Sequence, residues 1–416
     1  MLEPENTQGI TIKVKLVLDE SSDETKFIRT MEQYRKACNF ISEHIFLNDF
    51  PMNQLKLQKE IYSDIRTKFG LKSMMAQSAI RATIARYKTL KEQYKQHPYK
   101  FQDKNTKKWY SVQRDLRWLK KPIQFRRPQV DLVRNRDWSK RADGKLSLNT
   151  LDGRVIATPV CKGFDKFFDG TWKFGVAKLL RMKGGWMLHV GATKQLNPLE
   201  NADVQHVVGI DRGLRFLATT YDERGECQFF SGKEVMRKRE EFSAARERLQ
   251  KKHTWSAKRA MKRLSGRENR WMADVNHRIS KTLVEKYGKN TLFVIEDLQD
   301  VSFDEQNLSH RRKSGRKQLR SWAFFQFEQL LAYKARLKGS AVVKVAAQYT
   351  SQRCPKCGGI HKEYRHHHTH EYICKSCNSY RANDDLTGAR NIYLLGTMYV
   401  SGIEQPKFEK LEPTAN

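Results

Sequence analysis

The sequence predicts a multidomain α+β protein, on three observations. Short strand patterns punctuated by Asp-Gly turns crowd residues 101–200. Buried-strand and helix patterns alternate after residue 201, as in an α/β domain with a central sheet. Near the end of that alternation stands a C-x2-C-x16-C-x2-C set, Cys354, Cys357, Cys374 and Cys377.

A chain of 416 residues is long enough for two or three domains. Hydrophobic residues make up 39%, so a packed core is available and an all-disordered basic tail is excluded. Lys and Arg number 79 against 46 Asp and Glu, a net charge of +33 that calls for a polyanion, with nucleic acid the default. The opening MLEPENTQGITIKVK lacks a basic region followed by an apolar core, and no run reaches about 18 apolar residues. The expectation is a soluble cytoplasmic protein with no membrane partner. Seven cysteines, four of them in CxxC pairs, point to metal in a reducing compartment.

Ile10 to Leu18, ITIKVKLVL, alternates apolar and polar residues as a half-buried strand does. From Thr25 to about Tyr94 the period becomes helical, and Leu71 to Tyr94 reads as a long amphipathic helix. Its Arg81, Arg86, Lys88 and Lys91 are either a solvated face or a phosphate-tracking surface. KLSLNT, GRVIATPV, WKFGVAKLL and GGWMLHVGA are short strands of a β-rich module. The N-terminal strand is expected to pair with this module, which puts the helical block between them as an insertion.

VVGID is a buried strand, and FLATTY and CQFF around a DERG turn extend it as a meander. A basic helical stretch runs from about Lys233 to Tyr287, followed by the strand TLFVIEDL. The loop HRRKSGRKQLR, His310 to Arg320, contains no acid. Trp322 to Leu337 is amphipathic, its aromatics read as core packing. AVVKVAA is a fourth strand, and a final helix covers about Leu386 to Leu395.

The cysteine set fits one tetrahedral zinc. Four thiolates leave no open position, so the ion is structural, holding a loop too short for its own core. His361, His366, His367, His368 and His370 are alternative ligands, but a complete cysteine set makes exposed polar residues the simpler reading. Cys38, Cys161 and Cys227 read as buried small apolar residues.

Three carboxylates stand at element ends: Asp211 after VVGI, Glu296 after LFVI, and Asp385 opening the last helix. Such a set suits a two-metal nuclease using magnesium or manganese. Taken singly, Asp211 reads equally as a turn residue, Glu296 as a solvated strand end, and Asp384 or Asp385 as a helix cap.

GIDRGLRFLATTYD, VIEDL, WAFFQFEQLLAYKA, TSQRCPKCGG and CKSCNSYRANDDLTGARNI occur in this order. Together they resemble TnpB, the RNA-guided nuclease family of insertion-sequence transposons. The resemblance is specific over about Val204 to Leu395. It implies an RNase H-like (RuvC) α/β nuclease domain at 201–349 and 381–397, with a zinc-ribbon insertion at 350–380. It implies further a β-rich, wedge-like module at 1–24 and 101–200 and a helical recognition domain at 25–100; the tail at 398–416, polar and punctuated by proline, is expected to be disordered.

By the same resemblance, Asp211, Glu296 and Asp385 are catalytic ligands of two magnesium ions. The final motif, D-x-N-A-A-x-N-I in the family, reads DLTGARNI here, so Thr387 and Gly388 depart from it while Asn391 keeps it. The implied partners of the chain, taken as a monomer, are a transposon-derived guide RNA and a target double-stranded DNA. The implied reaction is magnesium-dependent cutting beside a short flanking motif, leaving a 5′-phosphate and a 3′-hydroxyl, in a nucleoid-associated prokaryotic setting. Gln77 and Ser78, in the helical block that with the β-rich module is expected to read the flanking DNA, are candidates for that readout, and Arg81 is a candidate nucleic-acid contact. Arg311, Arg312, Lys313, Arg316, Lys317 and Arg320 are candidates for gripping single-stranded DNA from a lid, or form a solvated loop. Two other readings stay open: an RNA-guided repressor that binds without cutting, and a DNA transposase or resolvase acting without RNA.

Overall fold

A computed structural model describes residues 7–103, 105–183, 185–298, 324–366 and 368–409. The chain divides into two compact units, one covering Gly9–Lys194 and the other Gln195 onward together with the residues before Gly9. The basic loop 310–320, with its six candidate residues, lies outside the described residues, as do Trp322 and His367.

The first unit opens with β1 (Thr7–Leu18), whose inward residues Ile12, Val14 and Leu16 are buried at the expected period of two. Three helices follow: α1 (Ser21–Leu47), α2 (Gln54–Phe69) and α3 (Ser73–Gln96). The helical stretch is thus broken once more than the periodicity suggests. Asn53 caps α2 by accepting from the Lys56 N–H, and Gly70 ends it at φ +64°, a left-handed conformation that glycine adopts freely. Phe27, Met31, Tyr34, Cys38 and Ile41 form the buried stripe of α1.

Eight further strands follow: β2 (Tyr99–Gln102), β3 (Trp109–Val112), β4 (Gln129–Leu132), β5 (Trp138–Lys140), β6 (Leu146–Thr150), β7 (Gly153–Val160), β8 (Lys173–Met182) and β9 (Gly185–Gln195). Seven strands make one sheet in the order β4-β8-β9-β1-β7-β6-β5, with β1 antiparallel to β7. The N-terminal strand therefore pairs across the helical insertion. β2 and β3 stand apart as a two-stranded hairpin.

The second unit is built on five strands: β10 (His206–Asp211), β11 (Phe216–Asp222), β12 (Cys227–Ser231), β13 (Thr291–Asp297) and β14 (Ala341–Ala346). Their order is β12-β11-β10-β13-β14. The pairs β10–β13 and β13–β14 are parallel; β10–β11 and β11–β12 are antiparallel. The helices are α4 (Lys233–Gln250), α5 (Trp255–Tyr287), α6 (Phe324–Leu337) and α7 (Asp384–Val400).

Strand alternation sorts the two faces of this sheet. Val208, Ile210, Phe293 and Ile295 face a core shared with α5 and α6. Val207, Leu292 and Val294 face the opposite core with Ile392 and Leu395 of α7. On that side α7 lies almost on the strand. A Cβ built at Gly209 meets the Ala389 carbonyl at 2.2 Å, and one at Gly396 meets Val294 at 2.5 Å. Between β14 and α7 come three short strands, β15 (Arg365–His366), β16 (Glu371–Ile373) and β17 (Arg381–Asn383).

The segment past α7 departs from the expected disorder as far as it is described. Pro406 and Phe408 are buried, and Phe408 joins the α7 core with the Arg353 guanidinium 4.4 Å from its ring. A few apolar residues in a polar stretch are enough to dock it. Among the described residues no helix is long and apolar enough to cross a membrane.

Candidate active site and metal centre

The sheet register brings the first two acids together. β10 and β13 run parallel with Ile210 beside Ile295, so the next residues, Asp211 and Glu296, stand at the same level at the two strand ends. By the period of two both belong to the face that carries α7. Carboxyl ends of neighbouring parallel strands are where α/β sheets place their sites.

The third acid arrives with the start of α7. Asn383 caps that helix, its side-chain oxygen accepting from the N–H groups of Asp385 (3.0 Å) and Leu386 (3.3 Å). Asp384 and Asp385 then take different roles. Asp384 is 1% exposed and bound to Arg365 at 3.0 Å, with His370 at 3.7 Å. Asp385 is half-buried, and its Oδ2 is shielded from solvent with no hydrogen-bond partner. A Cβ built at Gly213, just past Asp211, lies 3.8 Å from Asp385 Oδ1.

The electrostatics centre on Asp211. Burial, then Glu296 and Asp385 nearby, hold the Asp211 carboxyl well above the ordinary carboxylate range. Burial also raises Glu296, opposed by the Thr350 hydroxyl that donates to its Oε1 and by Arg212 and Arg365. Burial raises Asp385, with Asp384 adding to it and Arg365, His370 and Arg215 opposing. A multivalent cation held here would offset the repulsion on Asp211 and give Asp385 Oδ2 a partner.

Arg212, which the sequence did not single out, joins two residues of the final motif in supporting the acids. Arg212 is buried beside Asp211, donates to the Glu296 carbonyl and pairs with Glu328 at 3.6 Å. Gly388 faces the Asp211 carboxylate, where a Cβ would sit 2.9 Å from Oδ2. The departure from the family motif is thus a close approach of helix to carboxylate. Asn391, retained in the motif, is fully buried and donates to the carbonyls of Thr350 (2.8 Å) and Arg353 (2.7 Å). It ties α7 to the loop that carries the Glu296 partner and leads into the cysteines.

The sulfurs of Cys354, Cys357, Cys374 and Cys377 all lie within 4.8 Å of one another. Among the described residues they are the one group of three or more potential ligands this close. Cys354–Cys377 at 3.9 Å and Cys357–Cys374 at 3.6 Å match the edge of about 3.8 Å that Zn–S bonds of about 2.3 Å require of a tetrahedron. The Ser379 hydroxyl and N–H draw the Cys377 thiol down to about 6, while burial pushes Cys354 up to about 12. Among the described histidines none joins that group: His361 packs on Tyr364, and His370 lies by Asp384. Of the other three cysteines only Cys38 is buried. Cys161 is half-buried and Cys227 exposed, because β12 is an edge strand whose outer residues have no cover.

The α3 candidates are mixed. Arg81 is exposed and Gln77 half-buried, but Ser78 is buried, its hydroxyl accepting from Arg81 at 3.1 Å. Buried on the inner stripe of α3, Ser78 is out of reach of a ligand, which corrects its expected role.

Two family models match. Residues 192–300 match OrfB_IS605, described as a probable transposase, and residues 324–392 match the Cas12f1-like TNB domain. The TnpB-like protein MJ0751 of Methanocaldococcus jannaschii is 28% identical over 226 residues, covering 51% of this chain and 78% of its own. The putative RNA-guided DNA endonuclease InsQ of Escherichia coli is 28% identical over 229 residues, 51% of this chain and 54% of InsQ. A CRISPR-associated endodeoxyribonuclease Cas12f1 of Sulfoacidibacillus thermotolerans is 36% identical over 120 residues, 28% of this chain and 25% of that relative. The chain thus spans from a quarter to about three quarters of these relatives' lengths. In fold it is similar to Cas12f1 in a complex with sgRNA and target DNA, at a TM-score of 0.54 and 13% identity over 94% of this chain and 99% of that one. The carboxylate and cysteine motifs, the two family models and the TnpB-like relatives agree in pointing to the TnpB family.

Proposed function

We propose that this protein is an RNA-guided DNA endonuclease with one RuvC-like site on an RNase H-type sheet. The observation that carries the reading is that Asp211 and Glu296 end neighbouring parallel strands and that Glu296 and Asp385 both raise the half-buried Asp211 carboxyl, a cost that a divalent cation would relieve. These residues would hold two magnesium ions, which when bound activate water and stabilise the leaving oxygen of a phosphodiester. Glu296 is oriented by the Thr350 hydroxyl, and Arg212 braces the strand end beneath it. Asp385 is aimed by the Asn383 cap, and Asp384 holds Arg365 beside the acids without joining them.

The guide RNA and double-stranded DNA are proposed from the charge of +33 and from the relative named as an RNA-guided DNA endonuclease. Recognition of a short flanking motif is assigned to the exposed side of α3, through Gln77 and Arg81. The four cysteines are assigned one structural zinc.

The test co-expresses the chain with its transposon end, sequences the RNA that copurifies, and assays cutting of matched DNA in magnesium. RNA-directed cutting is expected, lost on ribonuclease treatment and lost in Asp211→Ala with target binding kept. One family model is described as a probable transposase, which favours a second reading without RNA. Cutting that survives ribonuclease establishes that reading instead, and binding without cutting by the unmodified protein establishes a repressor.

A further inference from the structure

The hairpin β2–β3 is well built yet covers nothing. Its turn is ordered by Asp103, whose carboxylate accepts from the N–H groups of Asn105 and Thr106 at 2.8 and 2.7 Å. Its base is pinned to the end of α3. Gln113 donates to the carbonyls of Tyr94 and Lys95, and Arg114 donates to that of His97 while lying over the Tyr94 ring. All eight residues of the two strands are nevertheless exposed. A lone two-stranded hairpin is marginal in water, so a rigidly anchored one with no core of its own needs an explanation.

The register supplies one. Tyr99 pairs with Val112 and Phe101 with Tyr110, which puts these side chains on one face. Tyr99 and Phe101 are near-parallel, 5.9 Å between centroids at 24°; Phe101 and Tyr110 are 5.7 Å apart at 26°. Trp118 continues the row, 5.6 Å from Tyr99. These four rings are 38–49% exposed. Residues 95–121 carry nine Lys and Arg against two Asp, and Lys100, Lys107, Lys108, Lys120 and Lys121 are exposed.

We infer that the β2–β3 hairpin with Trp118 is a stacking platform for unpaired bases of RNA, with the surrounding lysines meeting the backbone phosphates. The inference rests on the reading of RNA as a partner. An aromatic floor ringed by cations fits a strand that offers π-faces and phosphates together; an apolar protein partner has no use for that charge. RNA is favoured over single-stranded DNA because a bare aromatic face is an aggregation liability. A resident RNA covers it continuously, whereas target DNA is unpaired only while it is being opened.

The test uses the full chain freed of nucleic acid by high salt, at physiological salt. The probe is a short adenosine-rich oligoribonucleotide containing 2-aminopurine, followed by anisotropy and by quenching of the stacked base. Replacing Phe101→Leu together with Tyr110→Leu keeps strand-forming apolar residues but removes two rings. The expected result is a loss of affinity of roughly tenfold per ring and loss of quenching. Phe101→Tyr, which keeps the π-face, should retain both. Undiminished binding and quenching in the double variant overturns the inference. So does tighter, ring-dependent binding of the matching oligodeoxyribonucleotide. The readout needs no cutting. Ring-dependent RNA binding by a protein that never cuts leaves the platform standing, and guided cutting indifferent to the rings removes the platform alone.

Discussion

The four ribbon sulfurs close around one point from two turns of a single short insertion. The three carboxylates beside them come from two strand ends and a helix start that are far apart in the chain. The ribbon is locally encoded and saturated: its donors match one tetrahedral ion and leave no open position. The acid site is assembled by the whole sheet and left unsatisfied, with Asp211 raised by burial and then by its neighbours, and Asp385 Oδ2 without a partner. A saturated shell holds a structure in place, and an unsatisfied one is where chemistry is available. Arg365 links the two, because a ribbon residue bound to Asp384 also acts on all three acids.

The sharpest way to break this contrast is to exchange the two adjacent aspartates. Asp385→Ala should reduce DNA cutting by roughly a thousandfold or more while leaving thermal unfolding nearly unchanged. Asp384→Ala should do the reverse. It strips a buried partner from Arg365, costs about 2 kcal/mol, and keeps cutting within about tenfold. Cutting that depends on Asp384 instead moves the third ligand by one residue.

Cys374→Ser tests the ribbon side. Zinc measured by mass spectrometry should fall, and proteolysis should open the segment 350–380 while the sheet core resists. Retention of zinc and protection together would falsify the four-sulfur assignment. Gly388→Ala adds a Cβ 2.9 Å from Asp211 Oδ2 and must displace the carboxylate or the helix. Cutting should drop roughly ten- to a hundredfold through kcat, with target binding intact.

Asn391→Ala leaves the carbonyls of Thr350 and Arg353 without their donor. A cost of about 2–3 kcal/mol should lower Tm by about 5–10 °C in calorimetry. The smallest effect concerns pH. An acid whose folded pKa is raised holds its proton in the folded state after the unfolded chain has released it. Stability contributed this way is present below the unfolded pKa and is lost as pH rises through the folded one. In chelator at neutral pH, Asp211→Asn should therefore melt a few degrees above the parent, with the gap closing in acid. Magnesium should raise the melting point of the parent more than that of the variant. A variant melting below the parent at neutral pH in chelator contradicts the repulsion.

Where a structural feature depends on neighbours in sequence, it was legible. β1, the inner stripe of α3, VVGID, TLFVIED and AVVKVA all announce themselves by period and composition, and the cysteines by spacing. The break between α1 and α2 at 48–53 was missed because apolar residues continue through it at Leu47, Phe50 and Met52; the left-handed backbone at Asp49 and Phe50 ends one helix and the Asn53 cap starts the next. The tail was read as disordered because one phenylalanine and one proline carry no periodicity, though a docked ring needs none.

The amino-acid sequence by itself determined that a basic, partly β-rich, partly α/β chain carries a four-cysteine metal knuckle and three acids at element ends. Only the tertiary structure decided what those acids are. Asp384 and Asp385 are chemically identical and adjacent, and either suits the first turn of a helix. Their difference arises because α7, drawn onto the sheet at Gly209, Gly388 and Gly396, turns Asp385 toward the strand ends and buries Asp384 against Arg365. The distance between side chains remote in sequence is set by packing, and packing is not written in any local pattern.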